Sequence, residues 1–232
     1  MKSRALGGRS PAALLRGRGG WLWILGLLAA VQIVFIAGHL AAFAAAEGSS
    51  APREARQLLD FNQEGSLPTY WSALVLASAG VLALVIRRKT VWLLAGAGLI
   101  WVGLEEAFIH LHEDVQIGTG IDWPVLYAPL LAAGAWILYE AARDLDHTGK
   151  RLLIAGLACM VAGVGAELLS SPAIALDFQT RNLVEENLEL AGTGLVLCAF
   201  ASSLWPAAVR GRTPKAAANG SSPPARKQEG GN

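Results

Sequence analysis

The sequence predicts an all-α fold, a polytopic membrane bundle of six transmembrane helices with both termini cytoplasmic. Three observations carry this. Of 232 residues, 53% are hydrophobic and only 16% charged, where a soluble domain carries about 25% charged residues. Apolar runs of about 18 residues or more recur along the chain, the signature of helices that cross a bilayer. With six spans, 16 of the 19 basic residues fall on one side. They are Lys2, Arg4, Arg9, Arg16 and Arg18 in the N-terminal tail, Arg87–Lys89 and Arg143, Lys150 and Arg151 in two connections, and Arg210, Arg212, Lys215, Arg226 and Lys227 in the C-terminal tail. Only Arg53, Arg56 and Arg181 remain opposite. The positive-inside rule makes the basic side cytoplasmic, in a cell (inner or plasma) membrane. An odd number of spans would break the sorting.

Taken in order, residues 1–20 form a basic tail expected to be disordered, 21–205 the transmembrane domain, and 206–232 a second disordered tail too poor in apolar residues to fold. The spans are expected at 21–45, 70–87, 91–112, 123–142, 152–171 and 183–205. A basic start, an apolar run and "AFAAAEG" imitate a cleavable signal peptide. The run of about 25 residues exceeds the roughly 7–15 of a signal sequence, so an uncleaved span is expected. The longest outer connection, 46–69, leads into "LPTYWSAL", where Pro68 and Thr69 start a helix and Tyr70 and Trp71 sit at the interface. Asp122 is a candidate N-cap for the fourth span. Trp21, Trp23, Trp71, Trp92, Trp123 and Trp205 fall near span ends as an aromatic belt, with Trp101 and Trp136 deeper. Gly96, Gly98 and Gly103, Gly156, Gly163 and Gly165, and Gly192 and Gly194 mark the third, fifth and sixth spans as closely packed, because small residues let helices approach in lipid. Cys159 and Cys198 lie mid-span without CxxC or zinc spacing and read as packing residues.

Ionisable residues gather at one level. The third span ends in "EEAFIHLHE" (105–113), the fifth carries Glu167, the sixth opens with Glu185, Glu186 and Glu189, and the first carries His39. Counted at 1.5 Å per residue, Glu106, Glu167, Glu189 and His39 all fall roughly 6–10 Å below the outer boundary. An acid at a helix centre costs about 2.5–3.5 kcal/mol on insertion scales, so such groups are expected to face one another, water or an ion. On a helical wheel Glu106, His110 and Glu113 share a face, Glu105 and His112 form a neighbouring stripe, and Glu185, Glu186 and Glu189 cluster. Carboxylate with imidazole suits a divalent metal: zinc, iron or manganese. The candidate metal ligands are Glu106, His110, His112, Glu113, Glu186 and Glu189. Glu105 and Glu167 are the candidate catalytic groups, each as a base or as a partner orienting a histidine.

Plainer readings stand beside these. Asn182 with Glu185 has the spacing of a capping box. Glu113 and Asp114 suit a solvated helix end, His39 suits a hydrogen-bonded structural role, and Glu140 suits an ion pair with Arg143. Glu105, Glu106, Glu167 and Glu189 have the weakest such explanations because they lie inside spans.

The stretches "EGSLPTYWSAL" (64–74), "LEEAFIHLHE" (104–113) and "EENLELAG" (185–192) resemble those of a group of small, uncharacterised bacterial multipass membrane proteins. Its motif is an acidic pair and His-Glu closing one span, with E-E-x-x-E opening the last. Glu105 stands where that group usually has Asp, and the step to the His-Glu pair is one residue longer, which leaves His110 and His112 both open as the counterpart. The resemblance implies a site and names no reaction.

Three functions fit. The first is a metal-binding protein that acts on a lipid or small substrate at the outer leaflet, by hydrolysis through a metal-bound water or by oxidation. The second is a cation or proton transporter, although no inverted repeat or broken helix pair is evident. The third is a non-catalytic structural or assembly subunit. Membrane lipids are the expected partners. A net charge of +1 gives no reason to expect nucleic acid.

Overall fold

The computed structural model describes residues 20–48, 57–61, 65–86, 88–109, 118, 123–168 and 178–210. Six helices follow one another: α1 Gly20–Gly48, α2 Leu67–Ile86, α3 Thr90–Leu104, α4 Trp123–Ala142, α5 His147–Leu168 and α6 Phe178–Arg210. A π-helical turn, Glu105–Ile109, continues α3. Among the described residues there is no strand. Five helices (α1, α2, α3 with its π turn, α5 and α6) are long and apolar enough to cross a membrane, while the apolar stretch found in α4, Ala128–Ala142, is shorter.

Local chemistry sets the helix starts. Gly65 takes φ +76°, a left-handed conformation that glycine adopts without strain. It turns the chain into α2, where the Ser66 hydroxyl accepts the Thr69 N–H at 3.4 Å. Pro68 follows in the first turn, where a missing N–H goes unnoticed. Asp146 caps α5, its Oδ1 accepting the Gly149 N–H at 2.8 Å.

The helices α2, α3, α4, α5 and α6 form a closed ring in which each packs on the next and α6 returns to α2. Outside that ring, α1 has α6 as its principal helix partner. The core fills the ring with Val75, Leu76, Ala79 and Ala83 of α2, Trp92 and Leu99 of α3, Ala141 and Leu145, Leu153 of α5, and Val196–Phe200 of α6. Lipid tails are as apolar as leucine, so van der Waals contact between close backbones must hold such helices together.

Glycines supply that contact. A Cβ on Gly80 would lie 2.6 Å from the Gly96 carbonyl oxygen, and one on Gly103 would lie 2.7 Å from that of Ala73, so α2 and α3 touch backbone to backbone. A Cβ on Gly156 would meet the Gly192 carbonyl oxygen at 2.8 Å, which does the same for α5 and α6. Gly98 and Gly165 have nothing within 4 Å and play no such part. The heart of the bundle is therefore α6 with α2 and α5, while α3 is gripped by α2. By contrast, α4 is held at one end, by Leu138, Ala141 and Ala142. Over 128–136 its residues are exposed except for half-buried Gly134, so no face of that stretch is covered.

Candidate polar site at the acidic end

Arg88, Lys89, Arg143, Lys150 and Arg151 gather at one end of the ring, the basic end. The acidic end lies opposite. As α3 approaches the acidic end, its regular hydrogen bonding gives way to the π turn. Such a turn re-aims side chains and recurs at functional sites. Here it turns Glu105 inward, to 8% exposure, with Ala107 beside it buried and Phe108 exposed. Glu106 is half-buried. The turn packs on α2, where the Phe108 and Tyr70 rings lie 6.0 Å apart. A carboxylate this buried is costly without polar partners. Both Glu105 and Glu106 have them.

On α6, Glu185, Glu186 and Glu189 are half-buried and likewise engaged in polar interactions. The Glu189 side chain lies across Gly163 of α5. A Cβ there would come within 2.8 Å of Glu189 Cγ and 3.5 Å of its Oε1. The expected capping box does not form. Because α6 begins at Phe178, Asn182 and Glu185 sit inside the helix rather than at its start. The Asn182 Oδ1 instead accepts from Arg181 Nε and Nη2 at 3.2 and 3.0 Å.

Two residues that the sequence reading passed over join this level. Gln32 of α1 donates from Nε2 to the Asn187 carbonyl oxygen at 2.9 Å and to its Oδ1 at 3.0 Å. Asn187 Nδ2 in turn donates to the Leu183 carbonyl at 2.6 Å. Both neighbours of the Gln32 nitrogen are acceptors, which fixes the orientation of the amide. The available signal was Gln32 itself, the one amide in the apolar run 21–38.

Close contacts also fix the register of the helices. Near the basic end, Trp92 stacks on Phe200 at 5.3 Å, a Cβ on Gly149 would lie 3.1 Å from the Ala199 carbonyl oxygen, and Cys198 Sγ lies 3.9 Å from the Trp21 carbonyl oxygen. From that level, at 1.5 Å per residue, Glu105, Glu106, Gln32, Asn187, Glu186 and Glu189 lie about 16–21 Å away. His39 and Glu167 lie about 27 Å away by the same measure. The acids of α3 and α6 thus share a level, and on α1 it is Gln32 rather than His39 that meets it.

His39 serves a different contact. It is 3% exposed, with the Phe43 ring tilted against it at 4.4 Å and the Phe61 ring edge-on at 5.4 Å. Its Nδ1 lies 3.3 Å from the Leu59 carbonyl oxygen, 3.4 Å from the Phe61 N–H nitrogen and 3.9 Å from Asp60 Oδ1. The segment 57–61 is strapped to the acidic-end turns of α1 through this ring, so the structural reading of His39 holds. Glu140 pairs with Arg143 at 3.1 Å as expected, and both cysteines are free thiols.

His110, His112, Glu113, Asp114 and Asp122 lie outside the described residues, as does the side chain of Glu167. Among the described residues no three His, Cys, Asp or Glu side chains form a group that could hold a metal. The described part of the site is thus a set of acids on two helices, with the Gln32–Asn187 amides beside those of α6.

Fold and site together define a class, a multi-helix protein with several helices fit to cross a membrane and acids at one level within them. The chain belongs to the family described as Domain of unknown function (DUF8692), which matches residues 15–204. No curated protein and no solved structure matches it.

Proposed function

We propose that the protein is an integral membrane protein of six spans, with α4 as the sixth, both termini and the basic end in the cytoplasm, and a divalent-cation site in the outer half of the bilayer. Glu106, Glu186 and Glu189, with Glu113 and one of His110 and His112, are the ligands in this reading, and zinc, iron or manganese the cation. Glu105 is the base or the residue that orients a ligand. The substrate is a lipid or small molecule at the outer leaflet.

The burial of Glu105 on a π turn, level with Glu186 and Glu189, carries this reading. A carboxylate held there incurs the insertion cost of charge in a bilayer, and a bound cation would offset it. The exposed stretch 128–136 of α4 favours a lipid, because it presents Leu130, Leu131 and Trp136 as bare apolar surface. The apolar core around Trp92 and Phe200 argues against a through-going path for ions.

Elemental analysis of detergent-purified protein tests it. The expected result is one transition metal per chain, lost in Glu106→Ala and Glu189→Ala. Folded protein free of metal, after purification without chelators, would overturn the reading.

A further inference from the structure

At the basic end every described acid is committed. Asp144 accepts from Lys89 Nζ at 2.9 and 2.8 Å and from the Trp92 indole Nε1 at 3.1 Å. Glu140 accepts from Arg143, and Asp146 from the Gly149 N–H. That leaves Arg88, Lys150 and Arg151 with no acidic partner among the described residues. Arg88 and Arg151 are exposed and Lys150 is half-buried. The Lys89–Asp144 pair ties the connection that carries Arg88 to the one that leads into Lys150 and Arg151. Three unneutralised cations therefore share one rim.

The rim borders bare apolar surface. Val85, at the end of α2, is 70% exposed, and so largely is Ile154, which lies on the face of α5 that carries Lys150 and Arg151. Cations one turn from exposed aliphatic side chains mark the boundary of hydrocarbon and headgroups, where long basic side chains keep their stems in the apolar layer and their charge outside it. A nucleic acid or acidic peptide would approach from water and gain nothing from that apolar border. A lipid meets both halves of it.

We propose that this rim binds an anionic phospholipid, its phosphate held by the unneutralised cations Arg88, Lys150 and Arg151 and its acyl chains on the apolar surface that borders them. The inference rests on the membrane-spanning reading and is independent of the cation site at the opposite end.

Native mass spectrometry of the full-length protein in detergent, titrated with phosphatidylglycerol, phosphatidylcholine or inorganic phosphate, tests it. Phosphatidylglycerol is expected to bind more tightly than phosphatidylcholine, by roughly fivefold for each cation engaged. The preference should vanish in Arg88→Gln/Lys150→Gln/Arg151→Gln and survive in Arg88→Lys/Lys150→Arg/Arg151→Lys. If the triple glutamine variant loses its helical circular dichroism, the three single glutamine variants carry the same comparison. Equal affinity for the two lipids, or a preference that persists without the three charges, overturns the proposal. Competition by inorganic phosphate as strong as that of the lipid also overturns it, in favour of a soluble anion. Release of the protein from membranes by alkaline carbonate would instead sink the membrane-spanning reading.

Discussion

Gln32 and Asn187, from the first and last helices, are joined by two hydrogen bonds from one amide nitrogen. In hydrocarbon such a bond has no water to compete with it, yet measured interhelical values are modest, about 0.6–2 kcal/mol. Gln32→Leu is therefore expected to lower detergent-phase stability by about that amount. Asn187→Leu should cost about as much, because it removes the bond to Oδ1 and the one to the Leu183 carbonyl but leaves Gln32 its bond to the Asn187 backbone carbonyl. Thermal melting of the two variants and the double variant checks this. A double variant whose loss equals the sum of the singles would show that the pair does not interact.

Asp144 should matter more than its visible ion pair suggests. Lys89 is 59% exposed, and exposed pairs contribute at most about 1 kcal/mol. The fully buried Trp92 donates to the same carboxylate, and an indole N–H left without an acceptor costs about 1–3 kcal/mol. Lys89→Ala should leave the melting temperature nearly unchanged while Asp144→Ala lowers it clearly. The reverse order would show that the ion pair and not the indole bond holds the two connections together.

Two glycines of α5 make a controlled comparison. Gly163→Ala places a methyl 2.8 Å from Glu189 Cγ and 3.3 Å from the Glu185 carbonyl oxygen, so Glu189 must move, at about 1–3 kcal/mol for overpacking. Gly165→Ala meets nothing and should be neutral or slightly stabilising. If a metal is bound, Gly163→Ala should also lower its occupancy. Equal melting temperatures for the two variants would refute the close approach.

Glu105 has polar partners at 8% exposure, so replacing it with an apolar group strands them. Glu105→Leu is expected to destabilise by about 1–3 kcal/mol, and Glu105→Gln, which keeps shape and hydrogen-bonding capacity, by less. Metal content should persist in Glu105→Gln if the residue is a base and fall if it is a ligand. Chemical unfolding monitored by tryptophan fluorescence, with elemental analysis, separates these outcomes.

Apolar runs and closely spaced glycines are legible because residence in lipid demands the first and close helix packing there favours the second. Hence Gly96, Gly103, Gly156, Gly163 and Gly192 were found from spacing alone. Gly80 was not, since a single glycine in "ASAGVLAL" has no sibling to announce it. Hydropathy alone puts His39 level with Glu106 and Glu189, because it locates span ends and not how helices meet. The true level depends on how α1 meets α6, a tertiary fact. The π turn at Glu105 is likewise invisible locally, being chosen by packing on α2. The false capping box at Asn182 had a simpler cause: α6 begins one turn earlier than the apolar run does. Gln32 escaped notice because an uncharged amide barely lowers the hydropathy of the run around it.

The ring closes without α1, whose principal helix partner is α6. Ribosomal synthesis delivers α1 long before α6. During insertion α1 must reside in the bilayer with its Gln32 amide bare until Asn187 arrives some 155 residues later. A nascent chain stalled before α6 would lack the helix on which α1, α2 and α5 all pack. Completion of the sixth helix is thus the event that converts an inserted chain into an assembled one.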